Sequence, residues 1–481
     1  MSEHAPGTDA RRSGGAELDL LALARTGPIH FVGISGAGVS ALAELVLRHG
    51  GRATGCDLRP GAAAETLRRL GAEIAVGHDP AHIADAVAVV TTAAVPPDHA
   101  ELVAARERGI PVLKRAQALG ALVNRGTVVA IAGTHGKTTT TAMTTAILAE
   151  AGLDPTGFVG GRVPGWGSGL RAGSDRLFVV EADEYDRSFH TLRPDVAVVT
   201  TVEADHLDIY GSLEAVEEAF RQFIAPVPDR GRIAACVDDA GARRLLREAA
   251  GGRGIGYGVA PDATLRAAGV EARGRGSRFL LQDRGETLGE IVLGVPGLHN
   301  VRNALGAIAA ALHLGVDVAS IRRALAEFHG VGRRFEALGE AAGVLFVDDY
   351  AHHPTEIEAT LAAARGAYPE RRLVAVFQPH LYTRTRDFAD AFGRALAAAD
   401  VVWVADVYPA REAPIPGVTG ALVADAARAA GAADVHYHAD AVALRDALAD
   451  ALRAGDLCLT LGAGDIDETG RTVRDRLEAA S

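Results

Sequence analysis

Residues 133–140 read Gly133-Thr134-His135-Gly136-Lys137-Thr138-Thr139-Thr140, and this stretch decides how the middle of the chain folds. The apolar run before it, Thr127 to Ala132, predicts a buried strand, and residues 138–150 predict a helix, so the glycines lie at a strand-to-helix turn. Backbone N–H groups and the positive end of a helix dipole favour a bound phosphate there. Lys137 can reach the terminal phosphates of a nucleotide, while Thr138 offers its hydroxyl to Mg²⁺. The sequence therefore predicts a loop that binds a nucleoside triphosphate.

One position of this loop departs from the usual phosphate-binding motif. The pattern G-x-x-x-x-G-K-[ST] expects glycine at position 131, where this chain has Ile131, so the loop is a shortened variant. The alternative is a glycine-rich turn without a phosphate role. The preceding strand, Lys137 and Thr138 together favour phosphate binding over that alternative.

Length and composition indicate a large α/β protein with three domains. A chain of 481 residues, 48% of them hydrophobic, exceeds what one core normally serves. We expect a flexible tail at residues 1–25, a Rossmann-like domain at 26–123, a central P-loop ATPase-like parallel sheet domain at 124–331, and a doubly wound Rossmann-like domain at 332–481. Strand-like and helix-like segments alternate in all three domains, as in parallel α/β proteins.

Charge and cysteine content restrict the partners. A formal net charge of −12 argues against nucleic acid. Cys56, Cys236 and Cys458 are far apart and form no C-x-x-C pair, so neither a disulfide framework nor a cysteine metal site is expected. No apolar stretch reaches the ~18 residues of a membrane span, and the amino-terminal residues lack the apolar core of a signal peptide. We expect a cytoplasmic protein with small-molecule substrates, as either a monomer or a dimer.

The first domain opens with a second glycine-rich turn. Residues 33–38 read Gly33-Ile34-Ser35-Gly36-Ala37-Gly38 and lie between a predicted strand and a helix, and the next strand ends at Asp57. This pattern indicates a nucleotide-type ligand, contacted by Gly33, Gly36, Gly38 and Asp57. Because the glycine order is G-x-x-G-x-G rather than G-x-G-x-x-G, a pyrophosphate-containing ligand other than NAD is favoured. NAD and a purely structural turn are the alternatives.

Two acidic segments follow strands of the central domain. They are Glu181-Ala182-Asp183-Glu184-Tyr185-Asp186 and Glu203-Ala204-Asp205-His206-Leu207-Asp208. The carboxyl ends of parallel strands meet at one edge of the sheet, so both segments are predicted to face the phosphate-binding loop. We predict Glu181 and His206, together with Thr138, as metal ligands. The alternative is a pair of solvated acidic loops.

Four strand-like runs of the C-terminal domain each end in a polar motif. The motifs are Asp348-Asp349-Tyr350-Ala351-His352-His353-Pro354, Gln378-Pro379-His380 with Arg384 and Arg386 beyond it, Asp406-Val407-Tyr408-Pro409, and Gly462-Ala463-Gly464-Asp465. In a doubly wound sheet these ends gather around one crevice. A histidine pair on its own is equally consistent with a hydrogen-bonded turn, but the shared position at strand ends favours a substrate or nucleotide site.

In combination, these motifs resemble those of the Mur ligases from about Gly27 to Asp467. Further shared motifs are Gly297-Leu298-His299-Asn300-Val301-Arg302-Asn303-Ala304, Gly332-Arg333-Arg334-Phe335, Asp349-Tyr350-Ala351-His352-His353-Pro354-Thr355 and Phe377-Gln378-Pro379-His380. The combination is far more specific than any single motif. It is most similar to the branch of the family that adds L-alanine.

The resemblance implies an ATP-dependent ligase. The first domain would hold UDP-N-acetylmuramate, the central domain ATP and Mg²⁺, and the C-terminal domain L-alanine. The sugar carboxylate would attack the γ-phosphate of ATP to give an acyl phosphate, and the amine of L-alanine would then displace phosphate. Because water must be kept from the acyl phosphate, we expect the C-terminal domain to close over the other two.

The resemblance also implies roles for individual residues. Those expected at ATP are Gly133, Thr134, His135, Gly136, Lys137, Thr138, Thr139, His299, Asn300, Asn303, Arg334 (or Arg333), Asp349 and Tyr350. Those expected at the other substrates are Gly33, Gly36, Gly38, Asp57, His380, Asp406 and Asp465. Lys137, His352 and Arg384 are the catalytic candidates, with His353 and His380 as alternatives to His352 in assisting the amine.

Three departures from the family pattern bear on the site. Many relatives bridge a second Mg²⁺ with a carbamylated lysine, but Lys137 is the lysine of the central block, so no such bridge is expected; the L-alanine branch lacks it too. Leu381 and Arg411 stand where arginine and glycine are usual, which puts anion contacts there in question.

Three other functions compete with this interpretation. A murein peptide ligase would join a recovered tripeptide to the same UDP-sugar. An NAD-dependent oxidoreductase would leave the phosphate-binding loop unexplained. A nonenzymatic nucleotide switch would leave the crevice of the C-terminal domain unexplained.

Overall fold

The computed structural model describes residues 18–92, 94–410 and 412–480. Within these ranges the strands form three sheets, and each of the three predicted domain segments contains one of them. The predicted three-domain α/β fold is therefore confirmed. None of the helices in the described ranges combines the length and the apolar character that crossing a bilayer requires.

The first domain is a parallel α/β sheet with helices on its faces. Its strands are β1 (Ile29–Val32), β2 (Ala53–Asp57), β3 (Glu73–Val76), β4 (Ala88–Thr91) and β5 (Val112–Lys114). Its helices are α1 (Leu20–Thr26), α2 (Ala37–Arg48), α3 (Ala62–Arg69), α4 (Ala100–Glu107) and α5 (Arg115–Val123), with a 3₁₀ turn at Pro80–Ile83. The strand order is β3-β2-β1-β4-β5, so β1 and the turn that follows it lie at the centre.

The predicted flexible tail at residues 1–25 extends too far into the chain. Helix α1 begins at Leu20, and the carboxylate of Asp19 accepts the N–H groups of Leu21 and Ala22 at its amino end. Leu20, Leu21 and Ala24 are buried in the core of the first domain. These apolar side chains hold the segment on the domain, so the tail prediction is wrong for residues 20–25; residues 1–17 lie outside the described part.

The central domain contains a longer, mixed sheet. Its strands are β6 (Thr127–Ala132), β7 (Thr156–Phe158), β8 (Leu170–Arg171), β9 (Leu177–Glu181), β10 (Val196–Val199), β11 (Arg232–Cys236), β12 (Gly254–Gly258), β13 (Leu265–Arg273), β14 (Gly276–Asp283) and β15 (Glu286–Leu293). Its helices are α6 (Lys137–Glu150), α7 (Leu207–Tyr210), α8 (Leu213–Ile224), α9 (Ala240–Ala249), α10 (Leu298–His313) and α11 (Val318–Ala326), with 3₁₀ turns at Tyr185–Thr191 and Gly251–Arg253. The strand order is β15-β14-β13-β12-β11-β10-β6-β9-β7-β8. The part next to β6 is parallel, as predicted, and antiparallel strands extend both edges.

Strand β6 and helix α6 form the buried frame of the phosphate-binding loop. β6 lies between β10 and β9, and its residues from Val128 onward are buried. α6 is also largely buried although it is rich in threonine. Thr141, Thr144 and Thr145 donate their hydroxyl hydrogens to carbonyls four residues earlier at 2.7–2.8 Å, which satisfies these groups inside the core.

The C-terminal domain is doubly wound. Its strands are β16 (Glu336–Ala341), β17 (Val344–Asp349), β18 (Arg372–Phe377), β19 (Val401–Ala405), β20 (Val435–His438) and β21 (Asp456–Leu461). Its helices are α12 (Pro354–Ala367), α13 (Tyr382–Leu396), α14 (Gly420–Ala429), α15 (Ala441–Ala451) and α16 (Ile466–Ala480). The strand order is β16-β17-β21-β18-β19-β20, with β16 antiparallel and the rest parallel. Separate apolar clusters involve α12 to α14 and α15 to α16, as expected for helices on opposite faces of the sheet.

Candidate active site

The loop between β6 and α6 needs glycine at two positions. Gly133 and Gly136 adopt φ values of +141° and +82°, which side chains disfavour. A Cβ atom on Gly136 would overlap the side-chain amide of Asn303 on α10. The bare backbone of the loop therefore lies directly against α10, at the amino end of α6 where phosphate is favoured.

Lys137 is held by its own loop and by an acid. Its Nζ donates to the carbonyls of Gly133 at 2.6 Å and Thr134 at 3.2 Å, and it lies 2.8 Å from Oε2 of Glu184. Burial is the largest single influence and works to lower the pKa of Lys137, but the negative charges of Glu184, Asp183 and Glu181 together outweigh it, and the pKa is raised above its ordinary value. Lys137 is therefore a cation whose donors can be transferred from these oxygens to those of a phosphate.

The three predicted metal ligands line one cleft. The Thr138 hydroxyl donates to Oε1 of Glu181 at 2.9 Å, and the other oxygen of Glu181 accepts the N–H of Gly160. Nε2 of His206 lies 3.8 Å from Oε1 of Glu184, which also binds Lys137. Hydroxyl and carboxylate oxygens suit Mg²⁺, which keeps several of its waters, so Thr138 and Glu181 fit the ion. His206 would add a nitrogen donor on the same cleft.

A cavity of about 170 Å³ adjoins the loop on its α10 side. Its walls come from the loop, the start of α10 and the C-terminal domain, and they include His135, Gly136, Thr139, His299, Asn300, Asn303, Arg334 and Asp349. Burial lowers the pKa of His299 to about 4 and raises that of Asp349 to about 6. The structure thus brings most of the residues predicted at the nucleotide around one cavity.

Glu356 joins the C-terminal domain to the phosphate-binding loop. Its oxygens lie 3.1 Å from Nδ1 of His135 and 3.7 Å from an Nη of Arg334, and they accept the N–H of His352 at 3.0 Å. On its other side, His135 lies 3.7 Å from Glu203. Although burial opposes the charge, Glu356 and Glu203 raise the pKa of His135 to about 9. The imidazolium therefore lies between two carboxylates at the boundary of the two domains.

Other polar contacts cross the same boundary. Arg384 donates to Asp205 at 3.0 Å, and both side chains are nearly buried. The Thr355 hydroxyl donates to Glu203 at 3.2 Å. These contacts hold the amino-terminal parts of α12 and α13 against the central domain, so the structure has the C-terminal domain on the phosphate-binding loop.

A larger cleft of about 1070 Å³ opens beside these contacts. Thr138, Glu181 and His206 lie on its central-domain side, and His352, His380 and Arg384 on its C-terminal side. Burial lowers the pKa of His352 to about 4, so its imidazole is neutral near pH 7. Nδ1 of His352 lies 2.9 Å from the carbonyl oxygen of Tyr350, an acceptor, so Nδ1 carries the hydrogen and Nε2 has a free lone pair.

Arg333 and Arg334 have different surroundings. The guanidinium of Arg333 donates to Asp348 and to the carbonyls of Gly462 and Gly464 within its own domain. Arg334 lines the cavity near Glu356 instead. The structure therefore favours Arg334 over Arg333 at a nucleotide.

The glycine turn of the first domain is hydrogen-bonded to the side chain of Asp57. Its carboxylate, at the end of β2, accepts the N–H of Ser35 at 3.0 Å. Gly36 precedes α2, and a Cβ on Gly38 would press on the side chain of Arg115. Arg115 in turn lies 3.8 Å from Asp183 of the central domain, which lines the large cleft.

Two predicted substrate residues have partners of their own. Asp406 accepts the N–H groups of Val407 and Gly420 at 2.9 Å, which fixes the chain before α14. Asp465 is exposed and accepts from the side chain of Gln378 at 2.8 Å. These contacts give both residues a structural role. Of the two departures from the family pattern, Leu381 lines the large cleft, whereas Arg411 lies outside the described residues.

Sequence reasoning did not assign two residues that the structure makes central. Glu356 lies in the first turn of α12, where an acid is ordinary, so nothing in its local pattern distinguishes it from a helix-end carboxylate. Glu184 was part of an acidic segment, but no spacing rule indicates which carboxylate of that segment contacts Lys137. Spatial proximity identifies both: Glu356 meets His135 across the domain boundary, and Glu184 meets Lys137 within the central domain.

Comparisons with known proteins agree with this architecture, which is that of an ATP-dependent ligase. The family models described as "Mur ligase family, catalytic domain", "Mur ligase middle domain" and "Mur ligase, glutamate ligase domain" match residues 28–127, 131–311 and 333–464. The chain belongs to the Mur ligase family.

Individual relatives resemble the chain over almost its full length. The UDP-N-acetylmuramate–L-alanine ligase of Oleidesulfovibrio alaskensis is 47% identical over 93% of this chain and 98% of its own. The crystal structure of UDP-N-acetylmuramate-alanine ligase MurC from Thermotoga maritima has a TM-score of 0.80 and 29% identity, covering 95% of this chain and 100% of its own. The crystal structure of a murein peptide ligase from Psychrobacter arcticus has a TM-score of 0.68 and 26% identity, covering 94% of this chain and 99% of its own. Family membership displaces the oxidoreductase and switch hypotheses.

Proposed function

We propose that this protein joins L-alanine to the carboxylate of UDP-N-acetylmuramate at the expense of ATP, in the cytoplasm, through an acyl phosphate. The observation that carries the proposal is the shared cleft, onto which the Thr138 end of the phosphate-binding loop and His352 and Arg384 of the C-terminal domain all open. The names of relatives 47% identical over 93% of the chain support the choice of substrates.

In the first step Lys137 would stabilise charge on the phosphates. A carboxylate is a poor acylating agent, so its oxygen must first be phosphorylated in line with the departing ADP. The Nζ donors of Lys137 exchange the loop carbonyls and Glu184 for phosphate oxygens. Fixed charge and orientation at a water-excluded site each lower such a barrier by several kcal/mol, with orientation alone supplying up to ~7–11 kcal/mol.

Thr138, Glu181 and His206 would hold Mg²⁺. When bound, the ion neutralises triphosphate charge and orients the γ-phosphate. The Thr138–Glu181 hydrogen bond keeps two oxygen donors on the same side of the cleft. His206 has a φ of +53°, an uncommon conformation that places its ring beside Glu184 and Asp205.

In the second step the amine of L-alanine must attack without its extra proton. His352 is neutral, and its Nε2 can accept a hydrogen bond from the uncharged amine and so orient it, while Nδ1–H stays on the Tyr350 carbonyl. Arg384, held by Asp205 beside the same cleft, adds positive charge where the substrate carboxylates and the leaving phosphate would lie. Asp406 and Asp465 would support this side of the cleft indirectly.

The turn from Gly33 to Gly38 would hold the UDP pyrophosphate. Its backbone N–H groups precede α2, and Asp57 fixes its shape through Ser35. The Arg115–Asp183 pair joins the side of this turn to the lining of the central cleft, and the UDP-sugar would extend along it towards the phosphate-binding loop. Contacts across the central and C-terminal domains would shield the acyl phosphate from water.

The proposal is tested by measuring phosphate release with ATP, Mg²⁺ and UDP-N-acetylmuramate. Parallel reactions contain L-alanine, a tripeptide ending in a diamino acid, or no amine. Release that depends on L-alanine is the expected result. Release with the tripeptide alone would reassign the protein as a peptide-recycling ligase, and release that ignores the amine would remove the ligase reaction.

A further inference from the structure

A cluster of histidine, cysteine and glutamate side chains, residue types that can ligate metals, lies next to the glycine turn of the first domain. It consists of His30 on β1, Cys56 on β2, His78 after β3 and Glu101 on α4, and we refer to these four residues as the His–Cys–Glu cluster. His30, Cys56 and Glu101 are almost completely buried, with exposed fractions of 1%, 0% and 0%. A buried carboxylate, thiol and imidazole side by side is costly unless they share a proton or a cation.

The distances within the cluster suit a tetrahedral ion. Cys56 Sγ lies 3.0 Å from Oε2 of Glu101 and 3.1 Å from Nδ1 of His78. The same carboxylate oxygen lies 3.7 Å from Nε2 of His30 and 3.9 Å from Nδ1 of His78. Ligands 2.0–2.3 Å from a tetrahedral Zn²⁺ are roughly 3.3–3.8 Å apart. The ligand atoms of His30, Cys56 and Glu101 all lie within 4.8 Å of one another, so small movements would place these three around one ion, and His78 would complete the set from the partly exposed side.

One ligand atom is buried without a hydrogen-bond partner. Nε2 of His30 meets no donor or acceptor within hydrogen-bonding distance, although the side chain is fully enclosed. Its other nitrogen, Nδ1, is bonded to the Thr54 hydroxyl at 3.0 Å, which fixes the ring with Nε2 directed at Glu101. A hydrogen bond on the distal nitrogen is the usual support of a metal-binding histidine.

Glu101 has similar support on its far side. Its second oxygen accepts the N–H of Asp79 at 3.0 Å and lies 2.9 Å from Nδ1 of His82. Oε2 is thereby left facing the cluster. His78 is about one-quarter exposed and offers a route from solvent to the buried ligands.

We propose that the His–Cys–Glu cluster binds one divalent transition-metal cation of the Zn²⁺ class. The ion would be ligated by Cys56 thiolate, Nε2 of His30, Nδ1 of His78 and Oε2 of Glu101. The metal–sulfur bond replaces the S–H bond, and the thiol proton leaves to solvent. This mixed set, with a sulfur and two imidazoles, differs from the oxygen-rich donors predicted to hold Mg²⁺.

Proton release has a physical consequence. Without a metal, the Cys56 thiol donates its hydrogen to the Glu101 carboxylate, and a bound ion would have to replace that hydrogen. Binding is therefore tighter at higher pH, because the thiol must ionise. The backbone carbonyl of Cys56 also accepts the N–H groups of Gly33 and Ile34, so an occupied site would stiffen the glycine turn.

The test is Co²⁺ titration of the full-length protein after chelator treatment, in excess Mg²⁺ to occupy oxygen-rich sites. We expect one equivalent to bind with tetrahedral visible absorption and a thiolate-to-cobalt charge-transfer band, and Zn²⁺ to abolish both. Cys56→Ser should remove the charge-transfer band while keeping a hydroxyl for Glu101.

A second variant covers the possibility that a buried change prevents folding. His78→Asn changes a partly exposed ligand and should weaken binding about tenfold or more, whereas His436→Asn, a surface histidine of β20, should not. No stoichiometric band in the unmodified protein, a band that survives Cys56→Ser, or equal affinity in His78→Asn would overturn the four-ligand site.

Discussion

The two glycine-rich turns of this protein have similar backbones and flanking elements but different side chains around them. Each follows a buried central strand and precedes a helix, and each uses glycine at positive φ. The turn at Gly33 is fastened to an acid of its own domain, Asp57. The turn at Gly133 instead carries Lys137 and is covered by the C-terminal domain through Glu356. We propose that the side chains around each turn, more than its backbone, determine which phosphate ligand it binds.

The largest expected effect is on turnover, and it comes from Lys137, the lysine that the Gly133 turn carries and the Gly33 turn does not. Lys137→Ala should lower turnover by about 10² or more, because it removes a fixed charge from the phosphoryl-transfer step. Lys114→Ala, which changes the other lysine of the chain and an exposed side chain, is the matched control and should be close to the unmodified enzyme. Steady-state phosphate release measures both, and near-normal turnover in Lys137→Ala would refute its role.

The second effect compares the glycines. Gly136→Ala should impair ATP binding strongly, because its Cβ meets Asn303 in addition to the strain of positive φ. In Gly33→Ala the added Cβ meets no other atom, so the only cost is the backbone strain of a side chain at positive φ, about 1–2 kcal/mol. We expect KM for the UDP-sugar to rise by about tenfold. KM values for both substrates check this, and equal effects of the two changes on ATP would contradict the comparison.

The third effect concerns the contact that covers the second turn. Glu356 and Glu203 raise the pKa of His135 from 6.5 in the unfolded chain to about 9 in the folded protein. Its ion pairs therefore contribute fully to the free energy of unfolding below pH 6.5. That contribution, about 3 kcal/mol, is lost as pH rises through 9. Histidine-labelled NMR should show the pKa of His135 falling towards 6.5 in Glu356→Gln but not in Glu340→Gln, an exposed control. An unchanged pKa in Glu356→Gln would show that Glu356 does not hold the imidazolium.

The smallest effect concerns the metal. His206→Ala should raise the Mg²⁺ concentration needed for half-maximal activity severalfold, since Thr138 and Glu181 remain. His329→Ala, an exposed histidine of the same domain, serves as the control. Magnesium titrations of turnover compare them, and identical curves for the three proteins would remove His206 from the ligand set.

The sequence predicted what local pattern encodes. Strand β6, the loop, α6 and the polar ends of the C-terminal strands follow from periodicity and motif spacing, and the structure bears out the three-domain fold. It did not predict α1, whose seven residues are too short for a clear periodic pattern, or the antiparallel edges of the central sheet.

Contacts between distant residues were beyond local pattern. His135 and Glu356 are far apart in the sequence and meet only because two domains pack together. The His–Cys–Glu cluster likewise draws His30, Cys56, His78 and Glu101 from separate elements. Cysteine spacing indicated no metal site, because a single thiol supplemented by histidines and a carboxylate leaves no compact motif.

The central claim is that the two turns bind different ligands at once, and a competition experiment tests it most directly. Calorimetry would measure the Kd of UDP-N-acetylmuramate at increasing concentrations of a nonhydrolysable ATP analogue with Mg²⁺. The account predicts one equivalent of each ligand bound together and a Kd that levels off as the analogue saturates. A Kd that rises in proportion to the analogue concentration would mean that both ligands compete for one turn, and would contradict it.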